Sequence, residues 1–161
     1  AYKLAYLKDN SPARMSFTTD YEIKECVRVS QKVRVALMGI AVDDDGGDGG
    51  SDLEIFGQIW AEGVNSGTLF DKNGGNYVVI KEGQRFGQGQ PRAETIIEVS
   101  PKAGQAIRLR GNLTEHDPFF DDGLGNEVVL NPFETGWRKD TTMTFTGSSA
   151  RIRVMFNLSP I

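Results

Sequence analysis

The segment Asp43-Asp44-Asp45-Gly46-Gly47-Asp48-Gly49-Gly50-Ser51-Asp52 carries five carboxylates in ten residues. Two like charges about 4 Å apart repel by roughly 1 kcal/mol in water and several-fold more near a protein surface. Packing five together therefore costs stability unless a cation is bound. Calcium suits this donor set best, being a hard ion that takes six to eight oxygens in flexible geometry, and glycines let backbone carbonyls bend inward beside the carboxylates. A second segment, Glu115-His116-Asp117-Pro118-Phe119-Phe120-Asp121-Asp122-Gly123-Leu124-Gly125, adds four more acids. The candidate calcium ligands are Asp43, Asp44, Asp45, Asp48, Asp52, Glu115, Asp117, Asp121 and Asp122.

Other chemistries lack their parts. Aspartate and glycine also build ordinary turns, but two such loops in one chain point to a site. Counted from Asp43, Glu54 stands at the twelfth position of an EF-hand loop, yet Gly47 replaces the fifth-position ligand and Asp48 the sixth-position glycine. Cys26 is the only cysteine, so neither a cysteine-rich zinc site nor an internal disulfide can be assembled, and His116, the only histidine, stands between two acids, the setting of a surface residue more than of a catalytic base. The acids outnumber the pair a glycosidase needs. Gly87-Gln88-Gly89 lacks the strand-to-helix setting of a phosphate-binding loop. The expectation is a binding protein, not an enzyme.

Charge is distributed to match. The 161 residues carry a net −4, but setting aside the nine clustered acids leaves 13 acids against 18 Lys and Arg, a remainder of +5. Local acidity of this kind marks a site, and the overall acidity with no aromatic-basic motif argues against nucleic acid. No run approaches the apolar length of a spanning helix, and Ala1-Tyr2-Lys3 does not open a signal peptide.

The elements that must position these loops are strands. Val33, Val35 and Leu37 alternate with Lys32, Arg34 and Ala36, the two-residue period of a strand with one wet face. The pattern recurs through Leu53, Ile55 and Ile59, through Ile107, Leu109 and Leu113, through Ile152, Val154, Phe156 and Leu158, and briefly at Ile97 and Val99. Further candidates are Tyr21–Val29, Tyr77–Lys81, Val128–Leu130 and Thr142–Phe145. Turn signals such as Asp71-Lys72-Asn73-Gly74-Gly75 and Ser100-Pro101-Lys102-Ala103-Gly104 separate them. About eight short strands without a helical period predict an all-β antiparallel β-sandwich forming one domain over 1–161. Trp60 and Trp137 fit core packing or cover of a strand face, with a sugar-stacking platform as the alternative. Asn112-Leu113-Thr114 and Asn157-Leu158-Ser159 match the glycosylation acceptor motif.

At this point the chain resembles the C2-like domain, a Greek-key β-sandwich that binds phospholipid in a calcium-dependent way. Asp45, then Gly46 to Gly50, then Ser51-Asp52 at the next strand follow one family loop; Glu115-His116-Asp117, then Asp122-Gly123-Leu124-Gly125 before Val128-Val129-Leu130 follow another. The segment Pro91-Arg92-Ala93-Glu94-Thr95-Ile96-Ile97 resembles the strand preceding that second loop. Glu115 stands where aspartate is usual and Leu53 where proline is common. The resemblance implies Asp45, Asp52, Glu115, Asp117 and Asp122 as ligands. It also implies that the second loop enters a membrane, with Phe119 and Phe120 as the wedge. Two calcium ions would bring the net charge from −4 to zero and unmask the basic remainder for anionic headgroups. The expected partner is thus an anionic phospholipid surface, and the protein peripheral to a membrane. An extracellular, secreted setting is favoured over a cytoplasmic one, with the chain alone or part of a larger protein such as a cytolysin. The competing expectation is a calcium-stabilised sandwich that binds a carbohydrate or protein.

Overall fold

The computed structural model describes residues 30–47, 52–87, 93–117, 121–137, 139–147 and 150–161. Ten strands run through these residues: β1 Gln31–Asp44, β2 Asp52–Glu62, β3 Ser66–Lys72, β4 Val78–Lys81, β5 Arg85–Phe86, β6 Ala93–Val99, β7 Ala106–Glu115, β8 Asp122–Pro132, β9 Asp140–Phe145 and β10 Arg151–Pro160. A short 3-10 turn, Phe133–Thr135, joins β8 to β9. All the pairings between strands are antiparallel.

The strands form two sheets. One has the order β5-β1-β10-β9, with β6 also on β1; the other has β3-β2-β7-β8, with β4 also on β2. The central pairs, β1 with β10 and β2 with β7, join strands far apart in sequence, so neither sheet is complete until the last third of the chain is in place. The alternation read from the sequence decides which side of each strand meets the other sheet. Val33, Val35, Leu53, Ile55, Ile59, Ile107, Leu109, Ile152, Val154 and Met143 are all fully buried and join one apolar cluster between the sheets. Burying such side chains contributes about 1.5–3 kcal/mol each. The all-β antiparallel sandwich expected from the sequence is the fold observed.

Differences from the sequence reading lie at strand ends and at weakly patterned strands. The strand β3 carries no simple alternation, because Leu69 and Phe70 are adjacent apolar residues, both buried: Ile59 and Trp60 of β2 lie opposite Phe70 and Thr68, so Leu69 is the extra residue of a bulge on β3. The two-residue β5 is too short to carry a pattern. β8 begins at Asp122, so Gly123, Leu124 and Gly125 belong to a strand and not to the second loop, and Leu124 is buried. The candidate strand Tyr21–Val29 lies outside the described residues.

The two tryptophans have different surroundings. Trp137 is buried, 3% exposed, and its Nε1 donates to Gln31 Oε1 at 3.1 Å. It has a left-handed φ of 56°, a conformation that costs a non-glycine residue energy and persists only where packing holds it. It therefore presents no stacking platform. Trp60 is half-buried on the outer face of the second sheet and donates from Nε1 to Glu62 Oε1 at 2.7 Å. Arg110 Nε donates to the other Glu62 oxygen, also at 2.7 Å. The bond from Trp60 and the Arg110 guanidinium together hold the Glu62 carboxyl below its ordinary range, against the opposing effect of burial.

Candidate functional site

Both acidic segments leave the sandwich at one end, and the hydrogen-bonded register shows why. Near the end of β1, Val42 bridges Glu82 and Gly83 N donates to Val42 O at 3.0 Å. The residue before Glu82, Lys81, pairs with Asp52 at the start of β2 at 3.7 Å. Along β2, Ile55 lies opposite Glu115 at the end of β7, and His116 N donates to Glu54 O at 2.7 Å. Glu115 in turn lies opposite Asp122. The circuit closes through the turn before β10. A Cβ at Gly147 would sit 2.5 Å from the carbonyl oxygens of both Gly123 and Leu124, so only glycine allows that approach. Asp44 then pairs with Arg151. One rim thus carries the strand ends that bear Asp44, Asp52, Glu115 and Asp122.

Within the rim the carboxylates have different commitments. Asp44 is exposed and Oδ1 accepts from Gly46 N at 3.0 Å; Asp45 Oδ1 accepts from Gly47 N at 2.9 Å. These two local turns aim the chain out of β1 using the left-handed glycines Gly46 and Gly47, each at φ 80°. Asp52 and Asp121 are exposed, whereas Asp117 and Asp122 are half-buried. Glu115 is 5% exposed and sits on the strand itself, not in the loop. A carboxylate so deeply placed is costly to ionise unless polar or cationic partners surround it. Asp48, Phe119 and Phe120 lie outside the described residues.

Asp43 behaves differently from the rest. It falls at a register shift between Val42 and Asp44, where β1 holds one residue more than β10. The bulge brings it to Arg153, whose Nη2 donates to Oδ1 at 2.7 Å while Nε donates to Oδ2. This bidentate pair commits both carboxylate oxygens. The guanidinium bond holds the Asp43 carboxyl below its ordinary 3.8, opposed by desolvation and aided by the charges of Arg153 and Arg151. Because the folded pKa is lowered, the pair contributes stability above the ordinary carboxylate pKa, and the contribution is lost as pH falls through the lowered folded value. Thermal unfolding followed from pH 7 into this acid range should show that component in the wild type and not in Arg153→Gln.

The second segment is stapled by its histidine. His116 Nδ1 and Asp121 Oδ1 are 2.8 Å apart, so the chain on either side of 118–120 is tied together. The imidazole stacks on Tyr77 with centroids 5.1 Å apart and meets Phe56 edge-on at 6.3 Å. The Tyr77 hydroxyl bonds Glu54, which pushes its pKa up. His116 belongs to the second acidic segment by sequence, but its stacking on Tyr77 and the pairing of Arg153 with Asp43 depend on cross-strand register, which no local motif encodes.

The donor chemistry of the rim, exposed and half-buried carboxylates beside glycine-rich backbone, fits a hard cation. Among the described residues, no three of His, Cys, Asp and Glu are gathered closely enough to hold one. The described acids supply the edges of such a site and not a finished coordination shell.

No family model matches the sequence, and no match arises among curated proteins. Two solved structures are similar in backbone. Both are of human group IVD cytosolic phospholipase A2 in complex with methyl gamma-linolenyl fluorophosphonate. The one that also contains terbium chloride matches at TM-score 0.39 and 14% identity, over 82% of this chain and 18% of that one. The other matches at TM-score 0.42 and 11% identity, over 82% and 17%. The chain thus spans under a fifth of the length of either.

Proposed function

We propose that this protein is a calcium-dependent, C2-like membrane-binding module that docks on anionic phospholipid through the acidic rim and has no catalytic role of its own. The observation that carries this reading is the convergence of both acidic segments, far apart in sequence, on one end of one sandwich. Repulsion among these acids disfavours the apo rim, and a divalent ion relieves it. The ligands would be drawn from Asp44, Asp45, Asp48 and Asp52 on one side and Glu115, Asp117, Asp121 and Asp122 on the other. Asp43 ranks last, since Arg153 already takes the place of a cation there. Once the ions are bound, the rim loses its repulsion for headgroup phosphates, which can complete the coordination shell.

Phe119 and Phe120, between the two halves of the second segment, would enter the bilayer beside the ions. Burying each phenylalanine contributes on the order of 1.5–3 kcal/mol, so replacing both should weaken partitioning by roughly two orders of magnitude or more. The test is sedimentation with phosphatidylserine-containing vesicles with calcium or chelator. The wild type should pellet only with calcium, and Phe119→Ala with Phe120→Ala should stay in the supernatant while still binding calcium. Calcium-independent pelleting would defeat the ion switch, and unchanged pelleting of the double variant would defeat the wedge.

A further inference from the structure

The structure distinguishes two asparagines that the sequence leaves equivalent. Both Asn112-Leu113-Thr114 and Asn157-Leu158-Ser159 are acceptor motifs for N-linked glycan. Asn157 is half-buried on the central strand β10, and its Nδ2, the atom that would carry the sugar, donates to Asp140 Oδ1 at 3.0 Å. Asn112 is exposed at the middle of β7 on the outer face of the second sheet, and among the described residues no group bonds to its side-chain amide.

The neighbours of Asn112 suit a sugar. It lies directly across from Asn126 on β8 and from Gln58 on β2, both exposed; Gln58 Nε2 donates to Asp71 Oδ1 at 3.3 Å, which leaves its carbonyl oxygen facing outward as an acceptor. Gln58 is flanked on the same face by Phe56 and Trp60, the diagonal neighbours of Asn112, at a separation that aromatic side chains reach across. Trp60 is held in place by its bond to Glu62. A first sugar on Asn112 would therefore meet amides able to bond its hydroxyls and an aromatic surface for its C–H face. The site is three residues along β7 from Glu115, about 10 Å at the rise of a strand, which leaves the acidic rim clear.

We infer that Asn112 is an N-glycosylation site whose first sugar packs on Trp60, and that Asn157 is not a site. In the transfer, Nδ2 displaces a lipid diphosphate from the anomeric carbon of the donor oligosaccharide. A C–N bond replaces a C–O bond, and the amide proton passes to a base of the host transferase. The inference is independent of calcium binding and requires only that the chain enter a secretory compartment.

The test places a cleavable secretory leader before the full chain, translates it with microsomes and expresses it in a secreting eukaryotic host, and reads the product by glycopeptide mass spectrometry. The expected result is glycan on Asn112, none on Asn157, and loss of all modification in Asn112→Gln. The glycosylated protein should melt about 2–4 °C above the same protein after endoglycosidase treatment, as a contact worth roughly 1 kcal/mol gives in a domain of this size, and Trp60→Ala should erase that difference. An unmodified Asn112, or Asn157 occupied to the same extent, overturns the site. A difference in melting that survives Trp60→Ala overturns the packing.

Discussion

Calcium at about a hundred times its dissociation constant is expected to stabilise the wild-type chain by roughly 2.7 kcal/mol, the amount mass action gives a ligand that binds only the folded state. In a domain of about this size that corresponds to a rise in Tm of roughly 5–10 °C. The rise should be absent in chelator and with magnesium at the same concentration, because magnesium dehydrates reluctantly and demands a tighter octahedral shell. Asp45→Asn with Asp117→Asn removes one charge from each segment and should abolish most of the calcium shift. It should also leave the calcium-free protein as stable as the wild type or more so, since repulsion is relieved. Arg153→Gln separates ligand from scaffold. It frees Asp43, so it should keep calcium binding while lowering stability in chelator. Calorimetry with differential scanning fluorimetry reads all of these. No heat of binding and no shift for the wild type would defeat the proposed function, whatever the vesicle assays show.

The second large effect is structural. Gly57, in the middle of β2, has φ 124°, a region closed to residues with a side chain. A Cβ there would overlap the backbone carbonyl of Asn112 on the neighbouring strand β7. Neither atom can yield without parting the two central strands of the second sheet, across which Gly57 pairs with Leu113. Gly57→Ala is therefore expected to cost several kcal/mol, comparable to the 3–5 kcal/mol of emptying a buried phenylalanine position, and to leave little folded protein at 37 °C. Gly47→Ala is the control. It also has positive φ, at 80°, but a Cβ there meets nothing within 4 Å, so its cost is limited to backbone strain of about 1–2 kcal/mol. Urea unfolding of the two variants checks the contrast, and equal midpoints would show that the β2–β7 contact is looser than this geometry requires.

What the sequence alone determined follows from period and composition. Alternation at Val33–Leu37, Leu53–Ile59, Ile107–Leu113 and Ile152–Leu158 fixed which face of each strand is buried, because a one-residue slip would expose every core side chain. The acidic glycine-rich segments between such strands were visible as candidate ion loops for the same local reason: charge density and turn chemistry are properties of neighbours in the chain. The tertiary structure decided the rest. That Asp52, Glu115 and Asp122 share a rim depends on β2 pairing with β7 and β7 with β8, contacts between residues some sixty positions apart in the chain for the first pair. That Asp43 is spoken for depends on one extra residue in β1 and on Arg153, 110 residues away. Leu124 moved from loop to core because β8 starts earlier than its glycines suggest. Asn112 and Asn157, alike in motif, differ in exposure and in the hydrogen bond that Asn157 makes to Asp140. Short-range patterns specify strands and their faces; which strand lies beside which is set by packing of the whole sandwich, and the chemistry of the rim is made there.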